Sequence, residues 1–302
     1  MDKTPLLIFA YNRPEHLKKC LSAVITMENL ENFQIYLKVD GPKNENDRQK
    51  VFETKLVIED FCKNQNSVVE YSSTNKGLSS SIIGGVTKLF ETHERLVVLE
   101  DDLIPSRYFL EYMHEGLDKY AHEKRIASIH GYLPKLNAAP RAPYFRRGAD
   151  CWGWGTWSDR WSLVEWNSRE LISELNSRNL NKKFNLNNSY CFSCMLHRQA
   201  RGEIDSWAIR WHASMFLQNR LTLYPDKSLI KNIGFDGTGS HGGSNEFYTT
   251  DLSESKVIIP NLQIIESSSD IRKLARHYRK TFNSGLGRRI IRKVIRLSKL
   301  SR

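Results

Sequence analysis

No apolar run in the 302-residue chain approaches the ~18 residues that a membrane-spanning helix requires. The N-terminal segment MDKTPLLIFAYNRP is apolar over too short a stretch to read as a signal peptide or anchor. The chain is therefore expected to be soluble or attached to a membrane only peripherally. Cysteine is scarce: five residues without regular spacing argue against a disulfide framework and for a reducing, cytoplasmic compartment. Cys191 and Cys194 form one CxxC with no second pair and no HxxxH nearby, so two cysteines on a helix face are expected rather than a zinc or redox site. There is also no GxGxxG after the first apolar segment and no GxxxxGK[ST], which argues against a dinucleotide site or a P-loop.

What is present is ordinary globular composition, 40% hydrophobic and 26% charged, with enough apolar residues for a sizeable core. The net charge of +11 is not spread evenly: residues 268–302 hold twelve Lys/Arg against the single acid Asp270, and the remainder has 33 of each sign. The body is neutral and the C-terminal region carries the excess. Within it, LGRRIIRKVIRLSKLSR sets Leu286, Ile290, Val294 and Leu297 on one helical stripe, with seven Lys/Arg on the other face. That pattern predicts an amphipathic helix over residues 286–302 that lies on an anionic membrane surface. Residues 1–267 are accordingly expected to form one catalytic domain, followed by a basic region over 268–302.

The first hundred residues alternate between two periodicities. Strands are predicted over 5–10, 34–39, 68–72 and from residue 95, and helices over 15–27, 46–64 and 78–92. Such alternation at short spacing predicts an α/β fold with a mostly parallel central sheet flanked by helices. In such sheets ligands bind outside the carboxyl ends of the strands. Four polar features fall there: Asn12-Arg13, Asp40, Asn75 to Gly77, and Glu100-Asp101-Asp102.

The second half is less regular. Residues 126–129 read as a strand, and CWGWGTW (151–157) cannot be a regular helix. Glycines between its large rings suggest a backbone close to a ligand. Residues 203–219 read as a helix capped by Ser206 or Asp205. The glycine-dense loop 232–243 contains His241, a further candidate for a diphosphate or metal site.

Three adjacent carboxylates after a buried strand repel one another and raise each other's pKa unless something compensates. Oxygen ligands suit Mg²⁺ or Mn²⁺, which bind through one or two carboxylates while substrate phosphates complete the shell. Here the chain resembles the inverting GT-A glycosyltransferases, specifically the N-acetylglucosaminyltransferase I family and bacterial family-2-like sugar transferases. The resemblance rests on LLIFAYNRPEHLKKCLSAV, VDGPKN, LVVLEDDLIPSRYFLEYM, GWGTW and IDSWAIRW, and covers roughly residues 5–245. It implies a Rossmann-like GT-A fold, and a donor that is a nucleotide-diphosphate sugar, with UDP the expected nucleotide. It also implies Asp102 as the main metal ligand, with Glu100 and Asp101 facing the nucleotide and donor sugar; His241 is a candidate second ligand from its place in the glycine-dense loop. Arg13, Asp40, Asn75, Gly77 and Trp154 would bind the donor, and Asp205 would be the base. The basic C-terminal region has no counterpart in that pattern and suits a glycan acceptor that is lipid-linked, at the inner face of the plasma membrane, in bacterial surface polysaccharide synthesis.

Rival readings explain less. A nucleic-acid-binding protein using the basic tail leaves the acidic cluster unexplained, and the neutral body offers no second basic surface. A catalytically inactive, carbohydrate-binding relic would keep the fold without the chemistry. A sugar nucleotidyltransferase would carry a glycine-rich, arginine-containing first loop, which is not seen.

Overall fold

The computed structural model describes residues 3–236, 248 and 250–283. Along the first part, β1 (Thr4–Ala10), α1 (Pro14–Val24), β2 (Phe33–Val39), α2 (Glu45–Cys62), β3 (Ser67–Tyr71), α3 (Leu78–Leu89) and β4 (Arg95–Glu100) alternate as the periodicity predicts. Then come β5 (Leu103–Pro105), α4 (Phe109–Lys119), β6 (Ile126–His130), β7 (Tyr144–Arg147) and β8 (Trp154–Trp157). Helical segments α5 (Ser158–Trp161), α6 (Ser168–Ser177), α7 (Asn181–Phe184) and α8 (Phe192–Ala200) lead to α9 (Trp207–Leu217), β9 (Leu221–Tyr224), β10 (Ile230–Asn232) and α10 (Ser268–Asn283).

Eight strands form one sheet in the order β3-β2-β1-β4-β8-β6-β9-β7, and β5 pairs with β10 beside it. β3, β2, β1 and β4 are mutually parallel, as are β6 and β9, while β8 and the edge strand β7 run against their neighbours. The protein is thus α/β, with a mostly parallel sheet flanked by helices.

Strand alternation decides which side chain goes to which layer. From β1, Leu6, Ile8 and Ala10 join one apolar layer with Leu17, Leu21 and Val24 of α1, Ile58 of α2 and Met113 of α4. Leu7 and Phe9 face the other layer, with Ile82 and Val86 of α3 and Trp207, Trp211 and Met215 of α9. β4 divides likewise, Val97 and Leu99 to the first layer and Leu96 and Val98 to the second. Both faces of these strands are covered, which is why they read as continuous apolar runs rather than alternating ones. Pro14 opens α1, where its missing N–H costs nothing. Asn44 caps α2 by accepting from Asp47 N at 3.2 Å.

Three expectations are revised. α9 begins at Trp207 rather than 203, because the Ser206 hydroxyl caps it by accepting from Ile209 N (3.4 Å), while Glu203 pairs with Arg198 and Arg201 outside the helix. Cys191 and Cys194 are joined as a disulfide rather than presented on a helix face. Cys191 is the non-helical residue before α8 (φ −95°, ψ 70°), and its Cα lies 5.2 Å from that of Cys194 in the first turn, within disulfide reach. Trp154 is fully buried, with ring centroids 4.4 Å from Trp211, 5.4 Å from Trp207 and 5.7 Å from Trp161. It belongs to the core between β8 and α9, not to a ligand surface.

α10 packs on the body through buried Leu274 and Ala275. No helix among the described residues is long and apolar enough to cross a membrane. The stripe over 286–302 and His241 lie outside the described residues.

Truncating a fully buried indole removes its burial and leaves a cavity. Trp154→Ala should destabilise the protein by about 3–5 kcal/mol in urea unfolding, with the native far-ultraviolet circular dichroism retained in water.

Candidate functional site at the carboxyl ends of the strands

Two linked groups of polar residues occupy the sheet's carboxyl edge. The first joins β1 to β4. Beyond Ala10 the chain turns into α1, and the backbone N–H of Tyr11 donates to Asp101 Oδ2 at 3.2 Å. Two residues on, Arg13 Nη1 donates to Asp102 Oδ2 at 2.8 Å. The loop after β10 closes over this pair: Ile233 N donates to the Asp102 carbonyl at 2.8 Å. At Gly234 a Cβ would lie 2.2 Å from Asp102 Oδ2 and 3.1 Å from Arg13 Nη1, so only glycine lets the backbone approach so closely. Next to it, Asp236 Oδ2 is 3.1 Å from His16 Nε2 on α1.

The second group joins β2 to β3. Asp40, buried just past β2, accepts at Oδ1 from Gly41 N (3.0 Å) and Lys76 N (2.9 Å). Its Oδ2 accepts from Asn75 Nδ2 (3.2 Å) and Gly77 N (3.0 Å), and Asn75 Nδ2 also reaches the Gly41 carbonyl at 2.9 Å. The carboxylate is thereby a fixed post that shapes the 75–77 turn. Gly77 takes φ +79°, a conformation that glycine adopts without strain, and begins α3. Asp205 meets the same turn: its Oδ2 accepts from Ser79 N at 3.2 Å and lies 3.4 Å from where a Gly77 Cβ would sit. The exposed Asp205 therefore caps α3 and not its own helix, which Ser206 caps.

The electrostatics of the first group are unbalanced. Glu100 is raised well above the usual carboxylate range by burial, then by Asp102 and Asp101. Asp101 is pushed up to about 7 by burial and by Asp102, against the pull of Arg13 and the Tyr11 N–H. Asp102 is raised by burial although Arg13 draws it down. Three carboxylates, one buried and two half-buried, thus face one guanidinium, an arrangement that attracts a further positive charge. Among the described residues, no three metal-ligating side chains converge into a preformed cluster.

Of the residues expected at the site, Arg13, Glu100, Asp101 and Asp102 come together, as do Asp40, Asn75, Gly77 and Asp205; Trp154 does not join them. Sequence reasoning passed over Asp47, which accepts from Tyr11 Oη (2.9 Å) and Asn12 Nδ2 (2.8 Å) and so fixes the β1 turn. It also missed His16 and the ring group of Trp152, Phe235 and Tyr248. There Phe235 stacks on Tyr248 with centroids 4.5 Å apart, and Trp152 stands 5.6 and 5.1 Å from the two. The Gly-aromatic pattern and the glycine-dense loop were the available signals for these rings.

No known family model matches the chain. No curated protein matches it significantly in sequence either. Among solved structures it is similar to the mannosyltransferase PcManGT from Pyrobaculum calidifontis in complex with GDP-Man and Mn2+, with 10% identity over 42% of this chain and 34% of that one, TM-score 0.34. It is also similar to S. aureus TarS 1-349, with 10% identity over 76% and 59% of the two chains, TM-score 0.43. A third is the 4-diphosphocytidyl-2C-methyl-D-erythritol synthase from Anaerococcus prevotii, with 11% identity over 59% and 76%, TM-score 0.33. The chain thus spans about a third of the mannosyltransferase and three-fifths of the TarS fragment. None of these likenesses assigns it to a family.

The raised carboxylates make stability depend on pH with a definite sign. Near neutrality native Asp101 holds a proton that the unfolded chain, with a carboxyl pKa near ~4, has released, so acidification stabilises the fold. His130 and His212, pushed down to about 4 by burial, act oppositely below about pH 6.5 by taking up protons first in the unfolded chain. In chelator, stability to urea should therefore rise between about pH 8 and about pH 6.5. Asp101→Asn should flatten that rise and be the more stable protein at the alkaline end.

Proposed function

We propose that the protein is a glycosyltransferase of the GT-A type, moving a sugar with inversion from a nucleotide-diphosphate donor, UDP the expected nucleotide, to a hydroxyl of a glycan. The observation that carries this reading is the partly buried Glu100-Asp101-Asp102 set at the carboxyl end of β4, facing Arg13. It lies on the same sheet edge as the Asp40-anchored turn. The motif resemblance supplies the substrate class, and the sheet architecture agrees with it.

The donor set fits Mn²⁺ or Mg²⁺ by its chemistry: hard oxygen ligands only, short of positive charge, with Asp102 the principal one. A cation held by one or two carboxylates and completed by donor phosphates needs no preformed three-ligand cluster. When bound, it would offset the negative charge growing on the departing diphosphate. Arg13 brings a planar fork of donors, one of them now on Asp102, that suits phosphate oxygens. The Asp40-anchored turn gives the nucleotide a rigid wall rather than a mobile loop. Asp205 keeps Oδ2 on Ser79 N and offers its other oxygen, without a partner among the described residues, as the acceptor of the hydroxyl proton. The basic stripe over 286–302 would bring the enzyme to the inner face of the plasma membrane and to a lipid-linked acceptor in surface polysaccharide synthesis.

Screening nucleotide-sugars for hydrolysis and transfer with Mn²⁺ and with EDTA tests the reading. Asp102→Asn should lose transfer by orders of magnitude while staying folded, and full transfer in EDTA would remove the cation from the scheme. Asp205→Asn should keep the α3 cap, since an amide oxygen also accepts from Ser79 N. Transfer should nevertheless fall by roughly 10²- to 10⁴-fold at unchanged donor affinity, the loss typical of a general base. Near-normal transfer would leave Asp205 as a cap alone.

Deleting 286–302 should spare transfer to a soluble acceptor analogue and abolish salt-sensitive co-sedimentation with anionic vesicles. Equal co-sedimentation of the full and truncated chains would count against the membrane role.

A further inference from the structure

The opposite end of the sheet holds a second concentration of charge, of the other sign. β7 runs antiparallel to β9, and Arg147 at its end is paired with Leu221, the first residue of β9. β9 is parallel to β6, so this corner lies at the amino ends of the parallel strands, away from the carboxylate site. A cavity of about 550 Å³ opens there, lined by Arg146, Arg147, Lys182, Lys183 and Arg272 together with one carboxylate, Glu266. His212 also lines it and adds no charge at neutral pH, since burial and Arg146 push it down to about 4.

Carboxylates account for only part of this charge. Asp150 stands 3.7 Å from Arg146, and Glu266 stands 3.5 Å from Lys183. Among the described residues, Arg147, Lys182 and Arg272 have no carboxylate within ion-pair distance. Arg146 is only 3% exposed, and the Nε of both Arg146 and Arg147 is buried with no acceptor. A buried guanidinium N–H without a partner costs free energy and calls for an explanation. The two arginines are consecutive in β7, yet both line the cavity. Arg146 lies over the Tyr224 ring at 5.1 Å and Arg147 over the Phe216 ring at 5.3 Å, contacts that hold the planar groups in place. Fixed guanidinium forks with exposed lysines beside them suit a tetrahedral, multiply charged oxyanion better than a single carboxylate.

We propose that this cavity is a second ligand site, which binds a phosphate or diphosphate group. Nothing in the proposal depends on the glycosyl-transfer reading. The group may be supplied free or as the head of an anionic lipid, and one contributor, Arg272, sits in α10, the helix that leads into the basic C-terminal segment.

The test is calorimetric titration of pyrophosphate into the full chain in EDTA, which removes any cation that could hold a diphosphate at the carboxylate site. Arg147→Gln, Lys182→Gln and Arg272→Gln combined should weaken binding roughly tenfold or more. Glu266→Gln should tighten it, because the opposing charge goes while the oxygen that accepts from Arg147 N (3.0 Å) stays. Removing three charges elsewhere, at Lys50 and Lys55 of α2 and at Lys63 just after it, should leave affinity unaltered. Equal affinity in the cavity triple variant, or equal weakening in the α2 variant, overturns the proposal. Vesicles of phosphatidic acid in phosphatidylcholine distinguish the sources by competition, whatever the C-terminal segment contributes to adsorption. Pyrophosphate affinity that falls when the full chain is pre-bound to these vesicles marks a lipid head. Pyrophosphate affinity unchanged by the vesicles marks a free phosphate.

Discussion

The arrangement turns on one unfavourable fact: a strand buried on both faces ends in three consecutive carboxylates, with a single guanidinium opposite them. Charges taken out of water and held beside like charges are costly, and each of the three is pushed towards holding its proton. A chain optimised for stability alone would place an apolar or neutral residue there. The surroundings instead lower the cost without cancelling it: Tyr11 offers its backbone N–H, Arg13 its charge, and Gly234 lets a loop seal the pair. The remaining deficit of positive charge is what a cation and a phosphate-bearing ligand would correct, and it is the physical core of the proposed chemistry.

Asp40 illustrates a different use of a carboxylate. Its two oxygens are occupied by the amides of a turn from the neighbouring strand and by Asn75, so it acts through the shape it imposes. Asp205, 126 residues beyond Ser79, extends the same logic by capping a helix to which it does not belong. The sheet edge is therefore cross-braced: β1 to β4, β2 to β3, and α3 to the turn before α9. Rigid placement of this kind is what binding and transfer require of groups that must meet a substrate without rearranging.

Much of this was legible in the sequence because β1, β2 and β4 are six or seven residues long and largely apolar, and the first four strands are separated by helices of ordinary period. Their polar ends announced the candidate site before any coordinates. The second half resisted for a physical reason. Its strands are three to five residues long, too short for a period to declare itself, and β8 inserts between β4 and β6 instead of beside its sequence neighbours. The Gly-aromatic run shows the same limit. Trp152 and Trp154 look equivalent in sequence, yet the structure sends one to the ring group with Phe235 and Tyr248 and the other into the core. The Cys191–Cys194 bond depended on where α8 begins, a boundary that spacing does not fix. Asp47 and His16 were missed because their partners are distant in sequence, and only the folded chain brings them together.

The position of β8 also sets a timetable. β1 to β4 can pair with one another once residue 100 has been made, but the outer edge of β4 stays open until residues 154–157 fill it. β6, synthesised in the interval, has no strand to join on that side without β8. During synthesis a six-residue strand with an apolar middle therefore waits with a row of unpaired N–H and C=O groups, the kind of edge on which chains aggregate. The same short strand that completes the sheet is thus the step that ends its exposure, and the speed with which β8 is captured governs how safely this fold is reached.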